Sequence, residues 1–180
     1  MICFFCPNFG VQHSILHFRK SKSFTFNINE VRVPYNKHTL KYPIHPQAET
    51  SQYNNGNGKK YLWQPHPNGA KPRDVIEIPT LSNSSWEKAN HETQKPIALV
   101  KKCVLASSNE GDIILDPFGG SGTSYLVAEA FNRRWIGNEL SQEYCNLIKE
   151  RLNNSRLIDR IKSQKDDAES MERRQKLRVQ

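Results

Sequence analysis

The sequence lacks any long hydrophobic run. The longest apolar stretch near the N-terminus, Met1–Cys6, is too short for the hydrophobic region of a signal peptide or for a membrane span. We therefore expect a cytoplasmic protein with no membrane partner. Apolar residues make up only 36% of the chain, below the roughly 45–50% (glycine included) of globular proteins. The 180 residues should form one domain, or part of a larger one, around a small core.

Cysteine is also scarce, with four residues in the chain. Cys3 and Cys6 are spaced C-x-x-C and are followed by His13, an order similar to that of a zinc finger. The gap from Cys6 to His13 is much shorter than zinc fingers use, so no metal site is predicted. Cys103 and Cys145 fall in expected helices, where a small buried thiol is the usual role. In a reducing compartment all four thiols are expected to be free.

Acidic residues are too few to balance the basic ones, and the net charge is +8. This excess predicts an acidic partner, of which nucleic acid is the usual kind, although a merely soluble basic surface is the alternative. Residues 31–90 interleave cations with rings, which suits phosphates and bases but also fits an irregular surface segment. The residues concerned are Lys37, Lys41, Lys59, Lys60, Lys71 and Arg73, with Tyr35, Tyr42, Tyr53, Tyr61 and Trp63.

Regular structure is predicted after residue 91. Pro96 suits the first position of a helix, and Ile97, Val100 and Val104 then recur at helical spacing as its apolar stripe. Asp112–Asp116 and Trp135–Glu139 are typical of short buried strands, and a helix from about Ser124 to Phe131 separates them. Two strands joined by a helical crossover indicate a parallel pair in an α/β sheet. Two strands are too few for a complete sheet of this kind.

A glycine-rich turn, Asp116–Thr123, joins the first predicted strand to the helix and brings the backbone close to a ligand. A phosphate-binding loop would need lysine where Thr123 and Ser124 stand. A dinucleotide fingerprint would need glycine or alanine where Tyr125 stands. An acidic residue followed by this turn favours instead a cationic, nucleoside-bearing ligand such as S-adenosylmethionine.

Glu139 closes the second predicted strand, about twenty residues after Asp116. A carboxylate at this distance is placed to accept hydrogen bonds from both ribose hydroxyls of a nucleoside. Taken alone, Glu139 is more typical of a surface residue that begins a helix. Together with the glycine turn, it is interpreted as a ribose ligand.

Three segments resemble motifs of the DNA amino-methyltransferases, enzymes that methylate adenine N6 or cytosine N4. Asp116–Thr123 is similar to their motif I and Arg134–Glu139 to their motif II. His91–Pro96 is similar to motif X, His-Pro-Thr-Gln-Lys-Pro, with Glu92 in place of the first proline. Motif X directly precedes motif I, which is the permuted order of the beta class. The resemblance covers about residues 31–153.

The resemblance implies a partial Rossmann-like α/β methyltransferase fold, S-adenosylmethionine as cofactor and double-stranded DNA as partner. It implies that motif I surrounds the methionine end of the cofactor, that Glu139 holds the ribose, and that motif X helps to enclose the cofactor. The implied cofactor-binding residues are Thr93, Gln94, Lys95, Pro96, Asp116, Phe118, Gly119, Gly120, Ser121, Gly122, Thr123 and Glu139. Adenine N6 is the commoner target, so an adenine methyltransferase of a restriction–modification system is expected.

The sequence lacks the family's catalytic tetrapeptide, Asp/Ser/Asn-Pro-Pro-Tyr/Phe/Trp, which holds the flipped base. The nearest string, Val33-Pro34-Tyr35, begins with a side chain that cannot accept a hydrogen bond, and we interpret it as a chance match. No catalytic residue is therefore assigned. We expect the C-terminal part of a longer methyltransferase. The alternatives are a non-catalytic cofactor- and DNA-binding subunit, with the catalytic loop on a second polypeptide, and an inactive fragment.

The predicted organisation has four parts. Residues 1–30 are an unassigned N-terminal segment, and residues 31–90 belong to a target-recognition region and linker. Residues 91–153 form the cofactor-binding α/β portion. Residues 154–180 carry many charges and no proline, which predicts a solvated helix or tail.

Overall fold

The computed structural model describes residues 2–5, 14–46 and 62–164. These residues fall into two compact units, with boundaries after residue 27 and after residue 76. In chain order the elements are β1 (Ile2–Phe5), β2 (Ser14–His17), a short 3-10 helix (Ile28–Val31), α1 (Lys37–Lys41), β3 (His45–Pro46), β4 (Leu62–Trp63), α2 (Ile97–Ser107), β5 (Ile113–Asp116), α3 (Thr123–Ala130), β6 (Arg134–Gly137), α4 (Gln142–Leu152) and α5 (Ser155–Ser163).

Strands β5 and β6 form the predicted parallel pair, with α3 as the crossover between them. Ile113 lies opposite Arg134, and Asp116 lies opposite Gly137. The pair confirms the expected α/β architecture. The strands begin and end within a residue or two of the predicted limits, because the strand period and the glycine turn are local signals.

The core of this unit lies between α2, α3 and α5. Its buried residues are Ile97, Val100, Val104, Leu126, Val127, Ala130 and Ile161. The first three are the stripe predicted from helical spacing, and they do face the core. Ile114 of β5 and Trp86 pack against the same cluster. The sheet therefore rests on the helices through the face that carries Ile114.

Helix α5 differs from the expected solvated helix or tail. It begins at Ser155, after Asn154 caps it by accepting a hydrogen bond from the backbone N–H of Leu157 at 3.1 Å. Ile161 is fully buried, and Leu157 and Ile158 pack against the core. Only the outer face of the helix carries charges. The sequence analysis did not identify these three apolar residues as core positions, because charged residues surround them in the sequence.

The second unit is held by pairing between the chain around Val33 and the chain around Ala70. Val33 and Ala70 exchange two backbone hydrogen bonds, of 3.0 and 2.8 Å. The Tyr35 hydroxyl accepts a hydrogen bond from the His66 backbone at 2.7 Å, and its ring meets Trp63 edge-on at 6.0 Å. Val33-Pro34-Tyr35, the string nearest to the catalytic tetrapeptide, is thus used to build this unit.

Several sequence predictions fall outside the described residues. Cys6, His13 and the basic or aromatic residues Tyr53, Lys59, Lys60 and Tyr61 are among them. Within the described ranges, no cluster of His, Cys, Asp or Glu is placed to hold a metal ion. No helix in the same ranges has the length and apolar character needed to cross a membrane.

Candidate cofactor site at the carboxyl ends of the parallel strands

Two acidic residues lie at the edge of the sheet where β5 and β6 end. Asp116 is the last residue of β5, and Glu139 follows β6 by two residues. The chain after β6 is tied to the glycine turn, because the backbone N–H of Gly119 donates to the Asn138 carbonyl at 2.8 Å. The N–H of Asn138 in turn donates to the Asp116 carbonyl at 3.3 Å. These bonds place motif I and motif II side by side at one edge of the sheet.

Glu139 binds the glycine turn directly. Its Oε2 accepts the backbone N–H of Gly120 at 2.7 Å, and its Oε1 accepts that of Ser141 at 2.9 Å. The hydrogen bonds from Ser141 and Gly120 hold the pKa of Glu139 below its ordinary value. The carboxylate is therefore ionised at neutral pH. Each of its oxygens keeps a further lone pair, so the group can still accept hydrogen bonds from a vicinal diol.

Asp116 and Phe118 shape the entrance to the turn. The Asp116 Oδ1 accepts the backbone N–H of Phe118 at 3.1 Å, which folds the carboxylate over the start of the turn. The Phe118 ring is almost fully exposed. A negative group beside an exposed ring is suited to a ligand that carries positive charge and an apolar part.

Ser121 and Thr123 are buried beneath the turn. Their hydroxyls share a hydrogen bond of 3.1 Å, and the Ser121 carbonyl accepts a hydrogen bond from the guanidinium of Arg151. Arg151 is itself buried, which lowers its pKa, although the neighbouring charge of Glu87 opposes that shift. The buried side chains of Ser121 and Thr123 therefore support the loop from beneath.

Gly120 and Gly122 have left-handed backbone conformations, with φ of +53° and +71°. A Cβ on Gly120 would lie 3.0 Å from the His91 Nε2, and one on Gly122 would lie 2.9 Å from the Ile148 Cγ1. Both the backbone conformation and the close neighbours therefore require glycine. The turn is packed from below by α4 and from one side by motif X.

Motif X reaches the turn through His91, which was not among the predicted contact residues. The His91 ring packs on Tyr144 of α4 with 4.5 Å between ring centres. Its Nδ1 accepts the backbone N–H of Thr93 at 3.2 Å, so the ring proton is carried on Nε2. Burial lowers the pKa of His91, while the charge of Glu139 opposes the shift. His91 is thus a neutral wedge between Gly120 and Tyr144.

The four predicted motif X residues occupy different positions. Both ends of the Gln94 side-chain amide bind the preceding turn. The amide nitrogen donates to the Glu87 carbonyl and the amide oxygen accepts from the Ala89 N–H, each at 2.7 Å. Thr93 is exposed, and Lys95 and Pro96 are half-buried before α2. Gln94 therefore shapes the loop from inside.

Tyr125 also lies at the site. The sequence analysis used this residue only to argue against a dinucleotide-binding fingerprint. Its hydroxyl donates to the Asp116 carbonyl at 2.8 Å, and its ring stacks on Trp135 at 4.5 Å. Burial, together with the charges of Asp116 and Glu139, raises the pKa of Tyr125 to about 12. The Tyr125 hydroxyl fits because Gly137 has no side chain. A Cβ on residue 137 would lie 2.0 Å from the hydroxyl oxygen. In the sequence, Gly137 at the end of the second predicted strand was the signal that a large side chain packs against this position.

Comparison with known proteins identifies the family. A family model described as DNA methylase, N6_N4_Mtase, matches residues 9–150. The chain belongs to the N6/N4 DNA methylase family. This match starts well before residue 31, where the recognised motifs suggested that the resemblance begins. Part of the segment that the sequence analysis left unassigned therefore lies within the family match.

Individual relatives agree with this assignment. The Type II methyltransferase M.HpaI of Haemophilus parainfluenzae is 40% identical over 139 residues, which are 77% of this chain and 37% of the relative. M1.MboII of Moraxella bovis is 38% identical over 145 residues, covering 75% of this chain and 51% of the relative. The DNA adenine methyltransferase YhdJ of Escherichia coli (strain K12) is 46% identical over 89 residues, covering 49% and 30%. The chain spans about a third to a half of the length of these relatives.

Proposed function

We propose that this chain is the S-adenosylmethionine-binding part of a DNA amino-methyltransferase. The observation that carries the proposal is the ionised Glu139 carboxylate clamped to the backbone of the glycine turn, beside Asp116. A family match over residues 9–150 supports it. Phosphate-binding turns present a lysine and free N–H groups, whereas this turn presents two carboxylates, which favour a cationic ligand over an anionic one.

The residues fit S-adenosylmethionine in charge and in shape. Glu139 accepts the ribose hydroxyls through its remaining lone pairs, and Asp116 faces the positively charged methionine end. Phe118 and the backbone of Gly119–Thr123 line that end, with motif X residues Thr93–Pro96 closing the other side. When bound, the cofactor supplies a methyl group activated by its sulfonium. The chain's own residues bind and orient it.

The proposed substrate is double-stranded DNA, with adenine N6 as the methylated atom. The net charge of +8 favours a polyanion. M.HpaI is named a Type II methyltransferase and YhdJ a DNA adenine methyltransferase, which supports a role in restriction–modification and the choice of adenine. The cytoplasm, where bacterial DNA lies, is the proposed location.

A second candidate is a non-catalytic subunit of a split methyltransferase. The missing catalytic tetrapeptide favours it, because the chain holds a cofactor site without the group that positions the base. It differs from the first candidate in needing a second polypeptide for any methyl transfer. An inactive fragment is the remaining alternative, and cofactor binding by the purified chain would argue against it.

Calorimetric titration of the full chain with S-adenosylmethionine tests the proposal. Hydrogen bonds to a charged group contribute roughly 1.5–3 kcal/mol, so Glu139→Ala should weaken binding about 10- to 150-fold. Glu139→Gln, which keeps one acceptor oxygen and the side-chain shape, should lose less. Glu143→Ala, an exposed acid in the first turn of α4, is the matched control and should bind as the unmodified chain does.

The same experiment has clear contrary outcomes. Equal affinity for the unmodified chain and both Glu139 variants would remove Glu139 from the site. No binding by the unmodified chain, while circular dichroism shows it folded, would overturn the proposed function. Glu139→Ala could weaken binding because the protein unfolds at a lower temperature. The Glu139→Gln variant separates this effect from a true binding defect, because its side chain retains an acceptor for the Gly120 N–H.

A further inference from the structure

The glycine turn is held from below by a buried side chain of α4. One terminal nitrogen of the Arg151 guanidinium donates to the Ser121 carbonyl. The other donates to the Glu87 carbonyl at 3.3 Å. Arg151 lies near the end of α4, and only 7% of it is exposed. A single side chain therefore binds two segments that are distant in sequence.

The peptide group that Arg151 binds belongs to the most adaptable part of the turn. Ser121 stands between Gly120 and Gly122, which both have left-handed backbone conformations. Because glycine adopts many backbone conformations, these residues do not by themselves fix the orientation of the peptide after Ser121. The N–H of that peptide donates to the Gly119 carbonyl at 2.7 Å, and its carbonyl accepts the hydrogen bond from Arg151. A charged donor beneath the turn stabilises this one orientation.

Glu87, the other partner of Arg151, organises the chain around motif X. Its carbonyl also accepts a hydrogen bond from the Gln94 amide at 2.7 Å, and its carboxylate accepts the backbone N–H of Ile97 at 2.6 Å. Motif X and the start of α2 are thus both fixed to Glu87. The planar guanidinium holds its donors in fixed directions, so movement of Glu87 relative to the glycine turn would stretch or break its hydrogen bonds.

We propose that Arg151 is a positioning residue of the cofactor site, which joins the glycine turn to the chain around motif X and fixes the distance between them. The inference rests on the proposed function, in which the turn lines the methionine end of S-adenosylmethionine and motif X closes the other side. Arg151 lies beneath the turn and acts through the Ser121 backbone. A site that is already in place loses less conformational freedom on binding, so these contacts should raise the affinity for the methionine end.

Arg133 provides a matched control within the same compact unit. It is 8% exposed, and its guanidinium also donates to two backbone carbonyls, those of Ser108 and Phe131. Arg133 directly precedes β6, at the end of the strands opposite to Asp116 and the glycine turn. Arg133→Met and Arg151→Met therefore remove equivalent buried groups, one far from the site and one beneath it. Both should lower the free energy of unfolding, whereas only Arg151→Met should alter the site.

Calorimetric titration of the full chain with two ligands tests the inference. Methylthioadenosine keeps the nucleoside and the sulfur of S-adenosylmethionine but lacks the amino-acid chain. Arg151→Met should weaken S-adenosylmethionine binding about 10-fold and change methylthioadenosine binding less than about twofold. Arg151→Lys keeps a single charged nitrogen in place of the fork and should weaken S-adenosylmethionine binding about threefold. Arg133→Met should bind both ligands as the unmodified chain does, and Glu139→Gln, at the proposed ribose contact, should weaken both.

Amide hydrogen exchange adds a measurement that needs no ligand. In the free chain, the backbone N–H groups of Gly120 and Gly122 donate to Glu139 and to the Gly119 carbonyl. Their exchange should be faster in Arg151→Met than in the unmodified chain and in Arg133→Met, because the turn opens locally when its support is removed.

The contrary outcomes are distinct. An equal loss of affinity for both ligands in Arg151→Met would show a general structural role and overturn the inference. Affinities that match those of Arg133→Met, or unchanged exchange at Gly122, would overturn it too. If Arg151→Met does not fold, Arg151→Lys decides the comparison by the same criteria. Failure of the proposed function differs from all of these, because the folded, unmodified chain would then bind no S-adenosylmethionine.

Discussion

At the scale of single residues, the contact between Tyr125 and Gly137 joins the two strand ends. The Tyr125 hydroxyl occupies the space that a side chain at position 137 would need, and from there it holds the Asp116 carbonyl. Packing under the sheet therefore sets where the Asp116 carboxylate lies. Tyr125 can in this way fix the position of a residue that we propose to face the cofactor.

Gly137→Ala should destabilise the chain through overpacking. Its Cβ would lie 2.0 Å from the Tyr125 hydroxyl, so the ring or the strand has to move, which costs about 3 kcal/mol. Urea unfolding measures the change. Gly111→Ala is the control: its Cβ meets no atom within 4 Å, and only its φ of +81° is unfavourable, which costs about 1 kcal/mol. Equal losses for the two variants would mean that Tyr125 does not fill this space.

His91 couples stability to pH. Its pKa in the folded chain lies below the ordinary 6.5, mainly because of burial. The folded state thus binds this proton less readily than the unfolded chain does. The contribution of neutral His91 to the free energy of unfolding is complete above about pH 6.5 and declines as the pH falls toward the folded pKa.

The difference in free energy of unfolding between the unmodified chain and His91→Gln should therefore shrink on going from about pH 7.5 to about pH 5.5. The subtraction removes the titration of the other five histidines, since both proteins carry them. Urea unfolding at several pH values provides the measurement. A difference that stays constant over this range would show that folding does not shift the titration of His91.

At the scale of elements, helix α2 is capped from outside its own sequence. Pro96 precedes the first turn and offers no side-chain hydrogen bond. The carboxylate of Glu87 fills that role, accepting the backbone N–H of Ile97 at 2.6 Å. Since Gln94 also donates to the Glu87 carbonyl, the chain before motif X is fixed to the start of the helix. The sequence placed Pro96 one position inside the helix, because the distant cap left no local signal.

Glu87→Ala should cost about 1–2 kcal/mol in free energy of unfolding, since it removes the acceptor at the helix start and the charge that faces Arg151. Glu87→Gln keeps an acceptor and should lose less. For comparison, Asn154→Ala removes an ordinary local cap at the exposed start of α5 and should cost about 0.5–1 kcal/mol. Thermal or urea unfolding distinguishes these values, and an Asn154 variant as costly as Glu87→Ala would contradict the special role of Glu87.

At the scale of the whole molecule, we assign none of the described residues as the acceptor for the target amino group. Glu139 is committed to the turn and the proposed ribose, and Asp116 is folded over the start of the turn. Val33 uses its backbone to pair with Ala70. Methylation of an exocyclic nitrogen needs a fixed acceptor that stabilises the charge developing there. Misplacement of the base alone can lower the rate by orders of magnitude.

The purified chain should therefore transfer no methyl groups by itself. The measurement is incorporation of tritium from labelled S-adenosylmethionine into unmethylated duplex DNA, with the expected result equal to the protein-free blank. Turnover by the chain alone would contradict this prediction. It would indicate that a hydrogen-bond acceptor for the target amino group lies near Tyr35 and Asn36.

Sequence reasoning determined the local framework of this protein. The parallel pair, the helix with the buried Ile97 stripe, the glycine turn and the acid after β6 all follow from signals within a few residues of one another. These signals depend on side-chain period and on backbone conformation, which neighbouring residues set. They were sufficient to recognise the family and to predict which segments form the candidate site.

The tertiary structure alone decided how those segments meet. Four contacts join residues that are distant in sequence. They are the hydrogen bond between Glu139 and Gly120, the packing of His91 against Gly120, the hydrogen bond from the Tyr125 hydroxyl to Asp116, and the hydrogen bond from Arg151 to Ser121. Such contacts depend on how helices pack on the sheet, and no short-range pattern records that packing. The face of β5 and β6 that carries Leu115 and Ile136 is the clearest case: a buried-strand pattern predicts apolar residues on both faces, and only the fold shows that the described residues leave this face exposed.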